Sequence, residues 1–102
     1  MLYRVRAKLK EDTAAALLAK LTDGTVAQQK PDGAEIVASL ERAVVNAEGL
    51  VEWSETCFCG TPLAHERATV LDAHFEQLTT EPIEAHASYE GRAFMDYLRS
   101  LV

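Results

Sequence analysis

Residues 49–75, GLVEWSETCFCGTPLAHERATVLDAHF, decide the fold. They hold the only tryptophan, both cysteines and two of the three histidines. Residues 50–59 alternate and are rich in Val, Trp, Thr and Phe, the period and composition of a β-strand. Val51, Trp53, Glu55, Cys57 and Cys59 then share one face, and Leu50, Glu52, Ser54, Thr56 and Phe58 the other. Gly60 breaks the strand, Thr61 suits an N-cap and Pro62 suits the first helical position. Beyond it Leu63, Val70, Leu71, His74, Phe75 and Leu78 fall on one helical stripe, with His65, Glu66, Thr69, Asp72 and Glu76 largely opposite. This predicts strand, turn and a helix ending near Leu78.

Upstream, residues 46–49 make a four-residue loop ending in Gly, which favours a hairpin. The expected partner strand covers residues 40–45, after a short helical turn over residues 34–39. One continuous helix over residues 31–45 competes with this reading, because Ile36, Val37, Leu40 and Val44 also suit a helical face. Residues 25–33 are polar and broken by Pro31, Asp32 and Gly33, a loop. Residues 2–9 alternate, with Tyr3, Val5, Ala7 and Leu9 opposite Arg4, Arg6 and Lys8. Asp12 or Thr13 can cap a helix through Ala14, Leu17, Leu18 and Leu21, with Gly24 at its stop.

Downstream, residues 79–82 read as a connection, residues 83–89 as a strand and residues 91–101 as an amphipathic helix built on Phe94, Tyr97, Leu98 and Leu101. The main elements follow the split βαβ, or ferredoxin-like, order βαββαβ. The expected architecture is α+β: a four-stranded antiparallel sheet with helices on one face and an extra C-terminal helix, forming one domain over residues 1–102. The first strand would lie between the third and the last. Its basic row, Arg4, Arg6 and Lys8, would then face acidic neighbours across an open sheet face.

The chain of 102 residues is 48% apolar and 25% charged, an ordinary globular balance. A net charge of −6 argues against nucleic acid and anionic membranes as partners. No apolar run approaches the roughly 20 residues that span a bilayer. With no charged-then-apolar leader pattern at MLYRVRAKL, a cytoplasmic location is expected. Two cysteines one residue apart do not make a secreted disulfide framework.

Chemistry concentrates at the Cys57–His65 corner. Cys59 ends the strand beside a helix start, where the dipole favours a thiolate. His65 sits in the first helical turn, where a neutral imidazole can serve as a base. Glu55 shares its face with Val51, Trp53 and Cys57, so its carboxylate is either directed into an apolar surface or held in water near an edge. Cys59, His65 and Glu55 are therefore the candidate catalytic residues. Trp53, Cys57, Arg4, Arg6 and His86 are candidate ligand contacts. His74, on the apolar stripe, reads as a core histidine. A zinc set of Cys57, Cys59 and His65 lacks a local fourth ligand, so neither a resident metal nor a cofactor is expected. No phosphate-binding glycine loop, nucleophile elbow, HExxH or EF-hand loop occurs.

The function expected from these residues is a small homodimeric protein that binds a small molecule or a protein partner. It would use the open sheet face and the Cys57–His65 corner. Whether it is an enzyme is left open. The competing readings are a thiol enzyme using Cys59 with His65 or Glu55, and a metal-binding module.

Overall fold

A computed structural model describes residues 1–58 and 60–102. Among them are five strands and four helices. Strand β1 (Leu2–Leu9) leads through a 3-10 turn (Glu11–Thr13) into α1 (Ala14–Thr22). Helix α2 (Gly33–Arg42) is followed by the short β2 (Val44–Val45) and by β3 (Val51–Thr56). Helix α3 is continuous but changes pitch, from α-helical Ala64–Glu66 through π-helical Arg67–Leu71 to α-helical Asp72–His74. Then come β4 (Phe75–Ile83), β5 (Arg92–Ala93) and α4 (Phe94–Ser100).

The strands form one antiparallel sheet in the order β4-β1-β3-β2-β5. β1 takes the central place expected of it, but its second neighbour is β4 and not a strand over residues 83–89. The ferredoxin-like expectation of four strands is met only roughly, because β5 adds a fifth at the β2 edge. Gly91 makes that addition possible. Its φ is +154°, and a Cβ there would stand 2.2 Å from the Val45 carbonyl oxygen, so only glycine lets the chain come this close.

The alternation of β1 is carried into the fold: Tyr3, Val5, Ala7 and Leu9 are buried, and Lys8 is exposed. Their face meets Leu17, Ile36, Leu40, Trp53, Leu71, Phe94 and Leu98 in one hydrophobic cluster. Trp53, Phe75 and Phe94 form a tilted aromatic ladder, with centroid distances of 5.3 and 5.9 Å. His74 is buried, as its place on the apolar stripe predicts. Its Nδ1 meets Thr13 Oγ1 at 2.9 Å and its Nε2 meets Lys20 Nζ at 3.1 Å. Burial first, then the Lys20 and Lys10 charges, lower its pKa.

Three expected boundaries are corrected. Residues 34–42 are helical, so the strand expected from residue 40 is reduced to Val44–Val45. Ile36 and Leu40 point to the core from α2, and their 3.6-residue period prevails over local β-propensity. Helix α3 starts at Ala64 instead of Pro62, after Leu63 in the left-handed region at φ 56°. It also ends at His74, not Leu78. Phe75 turns extended, at φ −129° and ψ 149°, and β4 runs where a connection was expected.

β4 is an edge strand, which is why it tolerates Pro82. Its register with β1 shifts by one residue between Lys8↔Glu76 and Arg6↔Thr79. Gln77, at φ 54°, lies in this bulge. The strand expected over residues 83–89 does not form: Ile83 ends β4, and residues 84–91 cross the sheet face instead.

Candidate functional site

The two places that the sequence singles out have different fates. On the sheet face opposite the core, Arg4 donates to Glu52 Oε2 from Nε at 3.1 Å and Nη2 at 2.7 Å. Arg6 Nε reaches the same oxygen at 3.3 Å. Asn46 Nδ2 donates to Glu52 Oε1 at 2.6 Å. Burial alone would raise the Glu52 pKa, but the bonds from Asn46, Arg4 and Arg6 outweigh it and hold the carboxyl below its ordinary value.

Residues 84–91 lie over this network. The Ser54 hydroxyl pairs with His86 Nδ1 at 2.7 Å, and the Arg4 guanidinium stacks 4.8 Å from the centre of the Tyr89 ring. Glu52 and Ser54 are buried as a result. The face expected to be open is covered at its middle, where Arg4 and Arg6 share Glu52 and His86 pairs with Ser54.

The Cys57–His65 corner is built differently. The strand β3 directs Glu55 and Cys57 into the interior, where they are 1% and 2% exposed. Trp53, fully buried, donates its indole N–H to Glu55 Oε1 at 2.8 Å. The other oxygen, Oε2, is buried and has no hydrogen-bond partner among the described residues. Burial is the main cause that pushes the Glu55 carboxyl up to about 8, opposed by the Trp53 bond and reinforced by the charges of Glu66, Glu35 and Asp32. Glu55 is thus a buried carboxylic acid, protonated at neutral pH, with one oxygen not yet engaged.

Three groups that the sequence reading left aside complete the corner. Asp32 stands at the N-cap position of α2 without a side-chain capping bond, and its Oδ2 pairs instead with His65 Nδ1. Glu35, in the first turn of α2, accepts the Thr56 amide N–H at 2.9 Å, with Arg42 Nη2 3.8 Å away. Glu66 is buried beside His65 on α3. No spacing links Asp32 to His65, 33 residues on, and Glu66 has the helical position of a solvated residue. Only the folded packing of α2 against β3 and α3 reveals these groups.

Between them lies a cleft of about 490 Å³ lined by Pro31, Asp32, Glu35, Thr56, Phe58 and His65. Phe58 stands at its rim, 93% exposed. Of the expected site residues, His65 lines the cleft, while Glu55 in β3 and Cys57 just beyond its end are buried. Trp53 is part of the core and donates to Glu55. Arg4, Arg6 and His86 belong to the separate sheet-face network. Cys59 lies outside the described residues.

Chemically, the corner offers a fixed imidazole and a surplus of carboxyl groups. An Nδ1–H donated to Asp32 leaves His65 Nε2 as an acceptor. No protein-family model matches the chain, and neither the curated proteins nor the solved structures include a match to it. Among the described residues no helix is long and apolar enough to cross a membrane.

Proposed function

We propose that this is a small-molecule-binding protein whose ligand enters the cleft between α2 and the end of β3 and carries positive charge. The observation that supports this is the placement of Asp32 and Glu35 on a concave surface rimmed by the exposed ring of Phe58. Two carboxyl side chains on one cleft favour a ligand that brings positive charge or strong donors. An aromatic rim ring adds a favourable face for an ammonium or guanidinium group. A concave site suits a small molecule better than a protein surface. The sheet face, occupied by residues 84–91, has no part in this reading.

The scaffold is read as a ferredoxin-like βαββαβ core extended by β5 and α4, working in the cytoplasm as a homodimer. Phe58, among the exposed large apolar side chains, is the residue most suited to a dimer contact. Sedimentation at micromolar concentration tests this part, and a monomer overturns it.

A thermal-shift screen of mono- and diamines against matched carboxylates tests the binding itself. Amines should raise the melting temperature by mass action, carboxylates should not, and the rise should vanish in Glu35→Gln and shrink in Phe58→Ala. Equal effects of amines and carboxylates would overturn the proposal.

A second reading is favoured by the Asp32–His65 pair. A histidine oriented by a carboxylate, near a buried protonated Glu55, is the pairing of base and acid that proton-transfer enzymes use. Cys59 would supply the nucleophile in a thiol version of this reading. Alkylation near neutral pH that is no faster in the folded chain than in unfolded chain would remove the thiol version.

A further inference from the structure

We infer that Asp32, His65 and Glu66 form a binding site for a first-row divalent transition-metal ion at the inner end of the cleft. The inference rests on the reading of the cleft as a binding site and names its charged occupant.

One ligand atom from each of the three residues lies within 4.8 Å of the other two. Tetrahedral ligands about 2.1 Å from a common ion sit about 3.4 Å apart, so side-chain shifts on the order of 1 Å close the set. The three come from two elements fixed by packing. Asp32 immediately precedes α2, and His65 and Glu66 are in the first turn of α3. Gly33 holds the α2 start against Val26, where a Cβ would lie 2.0 Å from the Val26 carbonyl oxygen. Leu63, buried at φ 56°, sets the entry into α3. The ligands therefore sit on constrained backbone rather than on loop tips.

An independent observation points to a cation. Glu55 is 99% withdrawn from solvent, given its 1% exposure, and its Oε2 has no hydrogen-bond partner among the described residues. That carboxyl feels the charges of Glu66, Glu35 and Asp32. A divalent ion held by Asp32, His65 and Glu66 would place positive charge among these acidic groups.

One imidazole nitrogen with carboxylate oxygens suits Zn²⁺ or Mn²⁺ better than Mg²⁺ or Ca²⁺, which favour all-oxygen sets. The ligands differ from the Cys57, Cys59 and His65 set that spacing alone suggests, since Asp32 and Glu66 replace the thiols.

The test is calorimetric titration of Zn²⁺ and Mn²⁺ into the full chain after chelator treatment. One ion per chain is expected. Asp32→Asn and His65→Gln, both partly exposed positions, should each weaken binding about tenfold or more, while Glu76→Gln on β4 should not. Circular dichroism melts of each variant confirm that it is folded. Absence of binding at millimolar ion overturns the inference. So does equal affinity in His65→Gln, or a loss of binding in Cys57→Ser with Cys59→Ser that neither Asp32→Asn nor His65→Gln reproduces. Amine stabilisation without ion binding would overturn the metal inference alone. Ion binding without amine stabilisation supports the inference and overturns the organic-cation reading of the cleft.

Discussion

Trp53 Nε1 lies 2.8 Å from Glu55 Oε1, with both side chains almost wholly excluded from water. The bond explains how a carboxyl group survives in a core face. It gives one oxygen a partner while burial keeps the group neutral.

The sign of its pH effect follows. The folded value of about 8 stands above the ordinary 4.5, so the folded state holds a proton that the unfolded state gives up. The stabilisation is fully present below about 4.5 and is lost as pH rises towards 8. Chelator-treated Glu55→Gln should keep the Trp53 bond and lack this loss, gaining on the order of a few kcal/mol over the parent between pH 5 and pH 8. Urea melts at the two pH values measure it.

Glu52 behaves oppositely. Its depressed pKa means that its contribution is present above the ordinary carboxylate range and lost as pH falls through the folded value. Glu52→Gln leaves Arg4 and Arg6 without their shared carboxylate, at a cost of about 1–3 kcal/mol near pH 7. The difference from the parent should shrink in acid. A gap that is unchanged at pH 3 would contradict this assignment.

Gly33→Ala would press a methyl group against the Val26 carbonyl, 2.0 Å away. Backbone must move, so a loss of about 1–3 kcal/mol is expected. Asp32 moves with it. Denaturant midpoints and the amine or metal response should therefore fall together in this variant.

Gln77 is exposed at φ 54° in the β4 bulge. A left-handed conformation costs a non-glycine residue about 1–2 kcal/mol, part of which glycine regains. Gln77→Gly should raise stability by up to about 1 kcal/mol, offset partly by chain entropy. A lower melting temperature would show that the side chain makes a contact of its own.

Legibility in the sequence followed the physics of each element. β1 and α1 are amphipathic against a single core, so their periods of 2 and 3.6 read directly from Tyr3–Val5–Ala7–Leu9 and Ala14–Leu17–Leu21. β4 was hidden because it is an edge strand with a bulge and a proline, and its exposed residues carry little alternation. Residues 84–91 alternate yet pair with no strand, because they sit over the Arg4–Glu52 network instead. At the corner, the inward facing of Glu55 and the place of His65 in the first helical turn were legible from local context. Asp32 and Glu35 were not, because their role arises from α2 packing on β3 across a long sequence gap.

The most direct measurement is a backbone amide spectrum of the full chain titrated with a diamine. The account predicts shifts confined to Asp32, Glu35, Thr56, Phe58 and His65, led by the Thr56 amide that Glu35 holds. Shifts centred on Arg4, Arg6 and His86, or none at all, would contradict it.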